Sequence, residues 1–176
     1  MREDERFWRA LEPEIPWLHR FLRRLGVAAR DLDDVTQNTL ILIHAHRADY
    51  NAKRPMRPWL AAFATRVAAN YRRWRTRDRD APAPVDDPRE TMIDPSLSPE
   101  DSASAKDARA LVLDALRALD DDQRAVLVMI DIEEFSAPEV ARTLVVPLNT
   151  VYSRLRLGRE AFAQAVARLQ ARRGDR

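Results

Sequence analysis

Apolar residues recur at intervals of three and four along most of this chain, a spacing that predicts helices throughout and needs no strand. The first run, Phe7–Leu25, puts Phe7, Trp8, Leu11, Ile15, Leu18, Phe21, Leu22 and Leu25 at helical spacing, interrupted by Pro13 and Pro16. Gly26 is placed to end it as a C-cap. A second helix is expected from Asp31 as N-cap to about Arg47, with Asp33 and Asp34 in its first turn, where carboxylates suit the positive end of the dipole. A loop carrying Asn51, Pro55 and Pro58 follows, and then a long helix over about Trp59–Arg77.

The pattern lapses between Arg79 and Ser104. That stretch holds Pro82, Pro84, Pro88, Pro95 and Pro99 among many acids, and it reads as a linker between two helical domains. Ser98-Pro99-Glu100-Asp101 then has the form of a helix start. Leu111, Val112, Ala115, Leu116 and Leu119 are the expected buried stripe of that helix. Further helices are expected over about Asp121–Ile132, from the capping box Ser136-Ala137-Pro138-Glu139 to Leu144, and over about Leu148–Ala171, with Val145-Val146-Pro147 as a tight turn. The expected fold is all-α: two small helical domains joined by a flexible linker, the second containing a helix-turn-helix. The boundaries are 1–79, 80–104 and 105–176.

Charge sharpens this picture. The chain has 176 residues, of which 33% are charged, with a net charge of only +2. Its basic residues, nearly all Arg, cluster at Arg66–Arg79 and Arg154–Arg176, while acids cluster at Asp86–Asp101 and Asp120–Glu139. Two basic patches between acidic stretches fit two nucleic-acid contacts; solvated helix faces would show the same charge pattern. The absence of Cys excludes disulfides and thiol chemistry and suits a reducing cytoplasm. Apolar runs such as Leu40–Ile43 are far short of the ~20 residues of a membrane span. The charged start Met1-Arg2-Glu3-Asp4-Glu5 is not expected to be a signal peptide.

Three segments carry candidate chemistry. In Ser136–Arg156, a short helix, a turn and an amphipathic helix form a helix-turn-helix. Val140, Ala141, Leu144, Leu148, Val151 and Leu155 would lock the pair, leaving Asn149, Thr150, Ser153, Arg154 and Arg156 on or near the outer face. Asn can pair with adenine and Arg with guanine in a major groove, while Ser, Thr and Arg can hold phosphates. In the helix Trp59–Arg77, the residues Leu60, Phe63, Ala64, Val67, Tyr71 and Trp74 make an apolar side. Arg66, Asn70, Arg73 and Arg77 share one exposed stripe, and a basic stripe beside aromatics suits unstacked single strands. In Asp31–Arg47, the residues Asp33, Asp34, Gln37, Ile41 and His44 share a mixed face that fits a protein partner better than DNA. An ordinary helical surface would account for each segment taken alone.

Together the segments resemble a family. Leu32-Asp33-Asp34-Val35-Thr36-Gln37-Asn38-Thr39 is similar to the acidic motif ending in Gln and Thr of the extracytoplasmic-function (ECF) sigma factors. Pro58-Trp59-Leu60-Ala61-Ala62-Phe63-Ala64 with Asn70-Tyr71-Arg72-Arg73 looks like their next segment. Ala118–Val126 resembles the start of their second domain, and Val146–Leu155 resembles their recognition helix. The motifs stand in the family's order over nearly the whole chain. The resemblance implies an all-helical promoter-recognition subunit whose partners are bacterial core RNA polymerase, promoter DNA and an anti-sigma protein. It implies that Asp33, Asp34, Gln37, Ile41 and His44 face the polymerase clamp. By the same resemblance, Asn51, Lys53 and Arg54 would capture an unstacked base of the −10 element, with Arg66, Asn70, Arg73 and Arg77 holding the melted region. Asn149, Thr150, Ser153, Arg154 and Arg156 would read the −35 element. Three positions depart from the family: His44 stands for its usual Trp, Asn70 for a common Asp, and Val145 for the Gly that ends the first helix of the helix-turn-helix.

An enzyme is not expected. The sequence has no phosphate-cradling glycine loop, no paired-His zinc helix and no Cys nucleophile. His44 and His46 lie about 200° apart around a helix and make poor joint ligands. No catalytic residue, metal or cofactor is therefore assigned. A helix-turn-helix repressor would explain only the second half of the chain, and a sigma mimic would have no use for the Arg66–Arg77 stripe.

Overall fold

The computed structural model of the chain describes residues 3–77 and 99–174, with side chains at 5–77 and 105–173. Every regular element among them is helical. The first half contains α1 (Glu3–Leu11), α2 (Ile15–Arg24), α3 (Leu32–Ala45) and α4 (Met56–Arg77). The second contains α5 (Pro99–Arg117), α6 (Asp121–Leu127), α7 (Ala137–Leu144) and α8 (Leu148–Gly174).

The breaks follow the sequence's own punctuation. Pro13 sits in a 3₁₀ turn, Glu12–Glu14, that separates α1 from α2. Gly26 ends α2 with φ +96°. The Gly26 N–H donates to the Arg23 carbonyl (3.0 Å) and that of Val27 to the Leu22 carbonyl (3.2 Å), the paired bonds of a Schellman cap. A Cβ at Gly26 would stand 3.2 Å from Nη1 of Arg124 and 3.3 Å from Nη1 of Arg72, so glycine serves here both the turn and the close approach.

Several details differ from the sequence reading. Asp31 does not cap α3 with its side chain. Its carboxylate instead accepts from Tyr71 Oη (2.6 Å) and Arg75 Nη1 (2.9 Å) on α4, because two partners with formal or partial positive charge outcompete one backbone amide. The long helix begins at Met56, earlier than Trp59, since Pro58 lies in its first turn, where a missing N–H costs nothing. The stretch Asp121–Ile132 divides into α6 and a π turn, Val128–Ile132. Val112 and Leu148, assigned to buried stripes, are 37% and 39% exposed. α5 begins inside the segment assigned to the linker, while Ser98 and positions 80–98 of that segment lie outside the described residues.

The core is one connected apolar body. Phe21, Leu18, Leu22, Ile43 and Leu60 are fully buried on the first side. Ala61, Ala64 and Ala68 let α4 lie close against its neighbours. Leu116, Val126, Met129, Val140 and Val151 continue the same body in the second half. Arg124 is buried at its centre with 1% exposure, and its guanidinium is consumed by main-chain carbonyls. It donates to Leu116 (2.6 Å), Arg117 (3.3 Å), Leu119 and, from the first half, Leu25 (3.1 Å). Asp121 neutralises it at 3.0 Å. A buried cation is tolerable only with its donors filled, which is the case here.

Candidate nucleic-acid interface

The basic stripe forms as expected. Arg66, Asn70, Arg73 and Arg77 are all exposed along one side of α4. Arg73 Nη2 donates to Asn70 Oδ1 at 2.5 Å, so Asn70 orients a guanidinium within the stripe. The remaining arginines of α4 serve the fold. Arg75 is tied to Asp31, Arg57 pairs with Glu14 (2.7 Å), and Arg72 meets Asp121 at 2.8 Å. Burial pulls the Arg72 guanidinium below its ordinary value against the opposing charges of Asp121 and Asp120.

One of the aromatics of α4 sorts differently from the sequence reading. Trp59 and Phe63 are half-buried in a cluster, with Trp59 at 6.0 Å from Phe7 and 5.1 Å from Tyr50, and Phe63 at 4.9 Å from Trp59. Trp74, placed on the apolar side, is 58% exposed. At four residues beyond Asn70 and one beyond Arg73, it presents an open ring beside the stripe. The apolar pattern could not reveal this, because spacing gives a side of the helix and not which of its positions the neighbouring helices cover.

The loop before α4 is folded on itself. Asn51 Oδ1 accepts from the Lys53 N–H (3.0 Å), and the Arg54 N–H donates to the Asn51 carbonyl (2.9 Å), an Asx-type turn. Tyr50 Oη donates to the Arg54 carbonyl at 3.2 Å. Asn51, Lys53 and Arg54 are exposed at its surface.

On α3, Asp33, Asp34, Gln37, Ile41 and His44 are all exposed, and Ile41 is 60% open. Sequence reasoning missed that Trp8 joins this face. Its ring stacks on His44 with centroids 5.3 Å apart, so an indole lies beside the position occupied by histidine. His19 Nε2 lies 3.1 Å from Asp33 Oδ1.

The helix-turn-helix is built from α7 and α8. Ser136 caps α7: its N–H and Oγ donate to Glu139 Oε2 at 3.0 and 2.6 Å, and these bonds hold the Glu139 carboxyl below the usual range. Val145 nevertheless closes α7 in the left-handed region, φ 55° and ψ 50°, a conformation that favours glycine. Val151 and Leu155 are buried against the second-half core. Asn149, Ser153 and Arg156 are exposed, and Thr150 is half-buried. Arg156 pairs with Glu160 at 2.8 Å. Arg154 turns to the flank, where it pairs with Asp122. Tyr152 (52% exposed) and Leu157 (41%) flank the same face and were not assigned to it from sequence. Among the described residues no cluster of potential metal ligands occurs, and no helix is long and apolar enough to cross a membrane.

Residues 10–79 match sigma-70 region 2, and residues 109–162 match sigma-70 region 4. The chain belongs to the sigma-70 family, in its ECF branch. Region 2 thus contains the α3 face and the α4 stripe, and region 4 contains the helix-turn-helix. The chain is 32% identical over 155 residues to the ECF RNA polymerase sigma factor SigE of Mycolicibacterium smegmatis, covering 86% of this chain but only 58% of that one. It is 25% identical over 145 residues to SigW of Bacillus subtilis, covering 80% and 77%. Among solved structures, the sigma factor RpoE of Bartonella quintana, in complex with the anti-sigma factor NepR, superposes with a TM-score of 0.69 at 20% identity, over 93% of this chain and 98% of that one. CnrH, in complex with the cytosolic domain of CnrY, gives 0.65 at 23% identity, over 96% and 90%. At those identities the two structures speak for the fold.

Proposed function

We propose that the chain binds core RNA polymerase and directs it to promoters by recognising a −10 and a −35 element. One observation carries this reading: a single chain presents an exposed arginine stripe in region 2 and an exposed recognition helix in region 4. Asp33, Asp34, Gln37, Ile41, His44 and the adjoining Trp8 form the polymerase face. Asn51, Lys53, Arg54, Arg66, Asn70, Arg73 and Arg77 hold the −10 strand. Charge tracks its backbone, and the open Trp74 ring supplies a stacking surface. Asn149, Thr150, Ser153 and Arg156 enter the major groove of the −35 element, with Arg154 at the edge.

On this reading the chain catalyses no reaction and needs no cofactor or metal. It acts in the cytoplasm, where polymerase and DNA are, and an anti-sigma protein covering the same faces keeps it inactive. The two DNA contacts gain strength by being joined through the polymerase, which makes the second effectively intramolecular.

The test is reconstitution with sigma-free core polymerase on genomic DNA. A stable complex and transcripts from discrete start sites are expected. A protein that fails to bind active core overturns the reading.

A further inference from the structure

The start of α8 carries apolar side chains in the open beside its polar reading positions. Val145 is 87% exposed, Leu148 39% and Tyr152 52%. Leu148 and Tyr152 stand four residues apart on α8 and are neighbours on its surface, while Val145 lies in the turn just before. Exposed apolar groups gathered in this way mark a binding surface. Packing within the chain does not explain Tyr152, because α8 reaches the core here through Val151 and Leu155.

The position of the ring around the helix says what it meets. At about 100° per residue, Tyr152, Arg156, Asn149 and Ser153 fall within one sector of about 100°. All four are exposed. Arg156 follows Tyr152 by four residues, and its guanidinium is drawn along the helix to Glu160 at 2.8 Å. Positions 149–156 cover about 12 Å of helix axis, the rise of three to four base pairs. The groups that bases present in the major groove are hydrogen-bond donors and acceptors, with one exception, the C5 methyl of thymine. A ring that shares the sector of Asn149, Ser153 and Arg156 therefore has one apolar target on a base.

We infer that Tyr152 is a specificity-determining residue of this chain, and that its ring reads the C5 methyl of a thymine in the −35 element. The inference rests on the promoter-recognition reading above and adds a base identity to it. Tyr152 and Arg156 are about 6 Å apart along the axis, so the thymine lies within about two base pairs of the base that Arg156 contacts. The contact selects thymine over cytosine, which offers an amino donor in the groove and no methyl. A tyrosine ring turns on two torsions, so fixing it against the methyl costs less order than fixing a long polar side chain.

The test uses the full chain in holoenzyme, on promoters recovered by the reconstitution above. Each thymine of the −35 element, on either strand, is replaced singly by deoxyuridine, which deletes the methyl and keeps the base pair. Wild type is expected to lose affinity about fourfold at one thymine, the worth of one buried methyl. Tyr152→Phe should keep that penalty. Tyr152→Ala should bind the thymine promoter about as weakly as wild type binds the deoxyuridine one, and should no longer distinguish the two, with core affinity unchanged. No methyl effect at any position in wild type, or a penalty that persists in Tyr152→Ala, overturns the inference. Loss of the penalty in Tyr152→Phe assigns the hydroxyl rather than the ring and overturns it too. Weaker core binding by Tyr152→Ala overturns it in favour of a protein partner at this edge. A wild type that binds no core or starts at no discrete site overturns the promoter-recognition reading and this inference with it; discrete starts without a methyl effect overturn this inference alone.

Discussion

The phenol of Tyr71 donates to the carboxylate of Asp31 at 2.6 Å, joining the far end of α4 to the start of α3. The same oxygen accepts from the Ala28 N–H at 3.4 Å. One side chain thereby links the helix bearing the arginine stripe to the residue that precedes α3 and to the Ala28 amide. Removing it leaves Asp31 with Arg75 but strips a partner from the Ala28 amide. Tyr71→Phe is expected to cost about 1–2 kcal/mol and to lower Tm by several degrees, read by calorimetry. Burial first, then the bond to Asp31, pushes the Tyr71 phenol above its ordinary value. The unfolded chain therefore loses this proton first as pH rises. The contribution is complete below about pH 10, the unfolded value, and is lost as pH climbs through the folded one. Tyr71→Phe should show a flatter alkaline limb than wild type; equal limbs would remove Tyr71 from the linkage.

Val145 offers a stabilising change. It holds φ 55° at a position 87% exposed, so its side chain adds little packing to offset the left-handed strain. The Val146 N–H bond to the Ala141 carbonyl (3.0 Å) keeps the turn in place regardless of residue type. Val145→Gly is expected to stabilise the chain by roughly 1 kcal/mol. A drop in Tm on this substitution would show that the valine makes a contact worth more than its strain.

These two positions also show what could be read in advance. Helix identity, the Gly26 cap, the Ser136 capping box and the Arg66–Arg77 stripe follow from local chemistry, and local chemistry is written in neighbouring residues. That Val145 stands where a glycine is usual was legible, but not that the chain would hold the left-handed conformation with a valine there. Asp31 was misread because its partners sit 40 and 44 positions away. Trp74 was misread for a related reason: periodicity gives the side of a helix but not which positions on it the neighbouring helices cover. Arg124 drew no assignment of its own, since nothing local shows that the carbonyls ending α5 converge on it. The bonds that Glu133 accepts from Trp17 and Arg24 were invisible in the same way, since they depend on how two separately patterned halves pack.

The Ser136–Glu139 capping box should set the acid stability of region 4. Its hydrogen bonds hold the Glu139 carboxyl below its ordinary value. The unfolded chain then takes up this proton first as pH falls. The stabilisation is present above about pH 4.5, the unfolded value, and is lost as pH drops through the folded one. Ser136→Ala is expected to cost about 1 kcal/mol at pH 7. Denaturant titrations of both proteins should converge at low pH. A gap that persists under acid would mean the serine acts through packing rather than through this carboxylate.

Exposed arginines of the α4 stripe should be visible in salt dependence. Each phosphate neutralised on a single strand contributes about −0.7 to the slope of log affinity against log salt. Arg73→Ala with Arg77→Ala, measured in holoenzyme on a −10 single strand, is expected to flatten the slope by about 1.4. Arg75→Ala should instead lower Tm, because Arg75 is committed to Asp31. An unchanged slope in the double variant would move the strand off this face.

The division of labour between α3 and α8 can be tested by crossing two sets of variants. Arg156 is 65% exposed at its side chain, and its partner Glu160 is one turn along the same helix, so Arg156→Ala disturbs no core contact. Its loss should weaken use of a promoter with a −35 element by about ten- to a hundredfold, the worth of a good guanine contact, while core affinity stays constant. Asp34→Ala with Gln37→Ala should do the reverse, lowering core affinity while spacing and sequence preferences on saturating core are kept. Arg154→Ala is a poor substitute for Arg156→Ala, since losing the Asp122 pair also loosens α8 against α6. If Arg156→Ala lost polymerase binding before promoter selectivity, α8 would not be the reading helix. If the α3 pair left core affinity untouched, that face would lose its assignment to the polymerase.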